Sequence, residues 1–259
     1  MDTTATVPPR DTPQLKRASL LALAFVAVLW LVKFIEVAAG LDFSDFGVRP
    51  LDASGLLGVL TSPLVHGSFE HLIMNSLPLA VLLALARFTY PSGSWRALIF
   101  IWLLGGVGTW LIGRPSWHIG ASGVTHGLMF YLFVLGLLRR DRNAMVVAMV
   151  VFFLYGGMLV TVLPREIGVS WEAHLSGALA GTIAAFLWQQ RDPPTPLPRP
   201  SWELEEEAAA AALAAETDTY ELPRPAQVPV LWQRVPDDRG VILEFPRRRR
   251  DDDAPPTVH

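Results

Sequence analysis

The 259-residue chain has no cysteine at all, which excludes disulfides, a thiol nucleophile and any thiolate metal site. It is also poor in charge: 17% of residues are Asp, Glu, Lys or Arg, against 51% that are hydrophobic. A soluble domain carries more charge than that, so most of this chain reads as membrane-embedded. What charge there is falls unevenly. Residues 1–188 hold 12 Lys/Arg and 10 Asp/Glu, whereas residues 189–259 hold 9 and 14. Chemistry in such a chain has to come from serine, histidine and carboxylates.

Six apolar stretches are long enough to cross a bilayer: Leu20–Ala39, His71–Ala86, Trp95–Ile112, Ser122–Leu138, Met145–Leu163 and Trp171–Trp188. Trp95, Tyr90, Trp171 and Trp188 mark several of their ends, where interfacial anchors belong. Val37-Ala38-Ala39 offers a faint signal-cleavage pattern, but the first run exceeds a signal peptide's apolar region and more spans follow it. The fold expected is therefore an all-α polytopic bundle of six transmembrane helices over residues 20–188. Residues 1–19, with three prolines, read as a disordered cytoplasmic lead-in, and 189–259 as a Pro-rich, acidic, disordered cytoplasmic tail. Within that tail the alanine-rich segment Glu203–Glu216 has helical character, and Arg247–Arg250 is offset by Asp251–Asp253. Loop charges orient the bundle. Arg10, Lys16, Arg17, Arg87, Arg96, Arg139, Arg140 and Arg142 fall on one side, and Arg49, Arg114 and Arg165 on the other, which puts both termini in the cytoplasm.

Gly40–Ser62 is too polar to span and reads as an ordered loop with interfacial pieces. After the third span a Trp- and Arg-containing loop ends in Gly120-Ala121-Ser122-Gly123, just where the fourth begins. A helix start presents unpaired N–H groups and partial positive charge, so an oxyanion forming beside Ser122 would be stabilised there. Ionisable groups inside spans are costly and mark function. His71 opens the second span with Asn75 one turn on, and His174 lies one turn into the sixth. With those spans running the same way, and a rise of roughly 1.5 Å per residue, the four side chains fall within about 10 Å of one depth near the outer surface. Gly177 and Gly181 make a small-residue face able to pack against Gly123 and Gly127, which would bring His174 to Ser122. Glu172, two residues from His174, faces elsewhere, so the expectation is a Ser–His dyad.

His66-Gly67-Ser68-Phe69-Glu70-His71-Leu72-Ile73-Met74-Asn75, then Gly120-Ala121-Ser122-Gly123, then Ala173-His174-Leu175-Ser176-Gly177-Ala178-Leu179-Ala180-Gly181, resemble the motifs of rhomboid intramembrane serine proteases. The resemblance spans residues 20–188. It implies Ser122 as nucleophile, His174 as general base, His71 and Asn75 as oxyanion partners, and His66 as a structural loop residue. It further implies transmembrane protein substrates, no metal or cofactor and no nucleic acid. Where many relatives carry an aromatic ring four positions after the serine, this chain has His126, and the first-loop Trp-Arg pair is absent, with Val48-Arg49 the candidate for its place. Composition suggests a bacterial plasma membrane. Two other readings are a metal-handling protein using His66, His71, His118, His126 and His174, and an inactive relative that binds transmembrane clients.

Overall fold

In the computed structural model, residues 11–164, 168–192 and 200–220 are described. Eight α-helices follow in order: α1 (Asp11–Ala38), the short α2 (Gly58–Thr61), α3 (Phe69–Thr89), α4 (Gly93–Ile112), α5 (Ser122–Arg139), α6 (Arg142–Tyr155), α7 (Trp171–Trp188) and α8 (Ser201–Tyr220). Among the described residues there is no β-strand. The six expected spans correspond to α1, α3, α4, α5, α6 and α7. Large apolar side chains such as Leu31, Phe34, Met74, Leu77, Phe153 and Phe186 point outward, a surface suited to lipid rather than water.

Five of these helices are long and apolar enough to cross a membrane by themselves, α6 with its short extension. The sixth, α7, matches them in length, but its first turns carry Glu172, His174 and Ser176, all buried. It tolerates them because it packs closely, chiefly against α5 and α4. Glycines make that approach possible. A Cβ on Gly177 would stand 2.0 Å from the Gly123 carbonyl oxygen, and one on Gly181 2.0 Å from that of Gly127. Around this axis Leu72, Leu79, Leu82, Ile101, Leu128, Met129 and Leu132 fill the core.

Three boundaries differ from expectation. The first helix begins at Asp11 rather than Leu20, so residues 11–19 are helical; Gln14 Nε2 donates to the Phe88 carbonyl (3.0 Å) and holds that extra turn to α3. The fifth span does not run as one helix to Leu163. α6 ends at Tyr155, where two glycines follow; glycine disfavours helix by roughly 1 kcal/mol relative to alanine. Gly156–Leu159 then form a 3-10 turn, and the chain bends into residues 160–164. In the tail, the alanine-rich segment forms α8 over Ser201–Tyr220, a unit of its own. The expectations for residues 1–10, Arg165, 193–199 and 221–259, including Arg247–Arg250, lie outside the described residues.

The charges inside the first span are paired. Lys33 Nζ sits 3.0 Å from Glu36 Oε2, both side chains 8% exposed, and also donates to the Gly67 carbonyl (3.4 Å). Glu36 Oε1 accepts from the Phe43 N–H (3.3 Å), so the pair ties α1 to both ends of the segment that joins it to α3. At the opposite end of the bundle Asp192 accepts from the Ser92 and Gly93 N–H groups (2.9 and 2.7 Å), capping α4 from beyond α7. Asp192→Ala is expected to lower stability by about 1 kcal/mol, read as a lower melting temperature in detergent, since a lost helix cap costs that much.

Candidate functional site

Two loops meet above the bundle. Val48 and His118 exchange both backbone hydrogen bonds (2.9 and 2.8 Å), an isolated antiparallel bridge joining the loop after α1 to the loop after α4. Beside that bridge the Arg49 guanidinium lies over the Trp117 ring at 5.4 Å, a second contact between the same two loops. His118 goes on to bond Ser170 Oγ through Nδ1 (2.8 Å) and accepts no role near Ser122. Arg114 meets the buried Glu172 at 3.3 Å, so the carboxylate nearest His174 in sequence turns away from it, as expected. These contacts lock the start of α7 to the loop that leads into α5.

That loop delivers Ser122. Gly120 has φ +108°, a conformation open to glycine, and a Cβ there would also collide with the His71 ring at 2.6 Å. The Gly120 N–H donates to the Ser62 carbonyl (2.9 Å) and the Ala121 N–H to His66 Nε2 (3.3 Å). His66 is therefore a post beneath the turn. Burial, with the His71 imidazole nearby, holds its pKa down at about 4, so it is neutral and can accept. Unfolded, the same group binds a proton near pH 6.5, so its contribution to stability is complete above that pH and is lost as pH falls toward 4. Wild-type protein is expected to melt at progressively lower temperature across that window, and His66→Gln, whose amide oxygen can still accept, to lose part of the dependence.

His71 is set by the cap of α3: Ser68 Oγ accepts from the His71 N–H (3.1 Å), which fixes the first turn. Asn75 sits one turn deeper, 6% exposed, with Nδ2 donating to the His71 carbonyl (2.9 Å). His174 Nε2 lies 2.9 Å from Ser122 Oγ. Its other nitrogen, Nδ1, is 3.0 Å from the Thr161 carbonyl, which can only accept. Nδ1 therefore carries the proton, and Nε2 presents a lone pair to the serine hydroxyl. His126 stacks on His174 with ring centroids 3.9 Å apart and planes 12° from parallel. Ser122, His174, His126, His71 and Asn75 border one cavity of about 720 Å³, which extends along Met74, Pro78, Tyr155 and Met158 between α3 and the end of α6. Gly123, Gly177 and Gly181 lie behind it in the α5–α7 contact.

Residues 53–191, more than half of the chain, match the Rhomboid domain family. This protein belongs to the rhomboid family. Rhomboids are membrane-embedded, multi-pass helical proteins and generally intramembrane proteases. This rhomboid is 44% identical over 174 residues to proteins of Mycobacterium tuberculosis and Mycobacterium bovis, across 64% of its own length and 72% of theirs. A Mycobacterium leprae protein is 37% identical over 174 residues, across 69% of its length. All three are described only as uncharacterized.

Sequence reasoning had named Ser122, His174, His71, Asn75, His66, Gly120, Gly123, His126, Gly177 and Gly181; Ser122, His174, His71, Asn75 and His126 border the cavity, His66 and Gly120 support the turn before Ser122, and Gly123, Gly177 and Gly181 pack α5 against α7. It had missed Thr161. The contact from that residue to His174 runs through a backbone carbonyl, which every residue possesses; the one legible sign was a hydroxyl just past the paired glycines. The histidines also fail to assemble as a metal set: among the described residues no three His, Asp or Glu side chains converge.

Proposed function

We propose that this rhomboid is a serine endopeptidase that cleaves membrane-anchored proteins in or near their transmembrane segment. The observation that carries the proposal is the 2.9 Å contact between Ser122 Oγ and His174 Nε2, with Nδ1 held by a carbonyl, beside a cavity at one end of the spanning helices. A hydroxyl bonded to an oriented imidazole is the arrangement for nucleophilic attack.

Ser122 Oγ adds to the scissile carbonyl carbon while its proton passes to His174 Nε2. Negative charge gathers on the former carbonyl oxygen and is met by the Ser122 N–H at the start of α5, His71 and the second Asn75 N–H. Collapse breaks the C–N bond, and the imidazolium returns its proton to the departing amine. Water then repeats the sequence on the acyl-serine: His174 takes its proton, and the acid and free Ser122 are released. No metal or redox group enters this scheme. The bias of loop arginines supports cytoplasmic termini and a site facing the outer leaflet of a bacterial plasma membrane.

The test is labelling of detergent-purified protein with a fluorophosphonate probe. Wild type is expected to label, and Ser122→Ala and His174→Ala are not. Absence of labelling in folded wild type, or labelling of Ser122→Ala at the wild-type rate, sinks the protease reading and leaves client binding without chemistry.

A further inference from the structure

We infer that Thr161 is a positioning residue that sets both imidazoles of the site at once, an inference resting on the dyad reading. It stands in the bend after α6, and its two polar groups go to different histidines. The carbonyl oxygen is 3.0 Å from His174 Nδ1, and Oγ1 is 2.8 Å from His126 Nε2. His126 Nδ1 in turn lies 2.7 Å from the Ser122 carbonyl. With Ser122 Oγ at 2.9 Å from His174 Nε2, the contacts close a ring: Ser122 carbonyl, His126, Thr161, His174 and back to the Ser122 hydroxyl.

Chemistry leaves this ring one proton arrangement when both imidazoles are neutral. A carbonyl can only accept, so His126 Nδ1 donates to Ser122 and its Nε2 is bare. The bare nitrogen takes the Thr161 hydroxyl proton. Likewise His174 Nδ1 donates to the Thr161 carbonyl, leaving Nε2 bare for the serine. The hydroxyl also lies 3.0 Å from the Met158 carbonyl one turn back, an acceptor that competes with His126 for its single proton, so the ring closes when the hydroxyl turns to His126. Residue 161 is thus held by its side chain so that its backbone can hold the base. A carboxylate would do this work in a triad; here the partner is a neutral main-chain oxygen at the end of a bent segment, and its direction depends on one hydroxyl. The hydroxyl's grip is on His126, the ring stacked against the base, so position 126 is the anchor through which Thr161 is fixed.

The test combines Thr161→Val, Thr161→Ser and His126→Phe, read by probe-labelling rate and by kcat and KM on a membrane-anchored reporter, with melting temperature as the fold check. Thr161→Val is expected to lower labelling rate and kcat about 10–100-fold with KM unchanged, the usual effect of losing a group that orients a functional imidazole. Thr161→Ser restores the rate. His126→Phe keeps a ring on His174 but breaks the bond, so it lowers the rate similarly, and the Val/Phe double variant is no slower than the worse single, since both remove one interaction. Wild-type rates in Thr161→Val, or single losses that add in the double variant, overturn the inference while Ser122→Ala still loses labelling. Should Thr161→Val fail the fold check, His126→Phe alone reads the same bond, and a wild-type rate there overturns the inference equally. Labelling of Ser122→Ala at the wild-type rate removes the dyad and the inference together.

Discussion

Ser122→Ala and His174→Ala are each expected to slow cleavage of a membrane-anchored reporter by about 10⁴-fold or more, with the double variant no slower than the single ones. The two side chains share one proton across 2.9 Å, so removing either ends the same step. What survives in each variant is the contribution of the oxyanion partners and of substrate binding, which require neither group. The melting temperature should barely move in Ser122→Ala, because the hydroxyl meets no partner except the imidazole among the described contacts. Multiplicative losses in the double variant would mean that serine and histidine act in separate steps, and the mechanism above would be wrong.

Gly177→Ala and Gly181→Ala are expected to damage stability and activity together. Each added methyl would stand 2.0 Å from a backbone carbonyl oxygen of α5, where no side chain can rotate aside. Separation of α5 from α7 is the only relief. Overpacking of this kind costs about 3 kcal/mol, seen as a lower melting temperature. His174 rides on α7 and Ser122 on α5, so parting the helices by about 1 Å stretches the dyad and should cost roughly 10²-fold in rate. Gly157→Ala is the internal control: nothing lies within 4 Å of its added methyl, so a glycine is lost without helix separation. Equal damage at all three positions would point to a general need for flexibility and away from the α5–α7 contact.

Most of the site was legible because its parts obey spacing rules. Four residues put Asn75 under His71, and the steps from His174 to Gly177 and Gly181 define one face that meets Gly123 and Gly127. Comparable depth of Ser122 and His174 followed from span boundaries alone. The boundary errors share a cause: hydropathy reports where lipid is tolerated, whereas helix ends follow local backbone chemistry. Gly156-Gly157 stopped α6 inside an apolar run, and the polar residues 11–19 joined α1 because a packed neighbour, through Phe88, gave them a partner. The partnership of Arg49 with Trp117 was illegible for another reason. The two are far apart in the chain, and no periodicity links a first-loop cation to a third-loop indole.

The polarity of α7 bears on how the protein is made. A segment carrying Glu172, His174 and Ser176 partitions poorly into lipid by itself, and its cost falls once neighbouring helices offer those groups partners. Synthesis runs in the right direction for this, because α4 and α5 leave the ribosome first. Ser122 precedes His174 by 52 residues, so a growing chain carries the proposed nucleophile into the bilayer well before the proposed base is made. If the proposed dyad is the active one, the newborn protein stays inert among unfinished neighbours until α7 arrives.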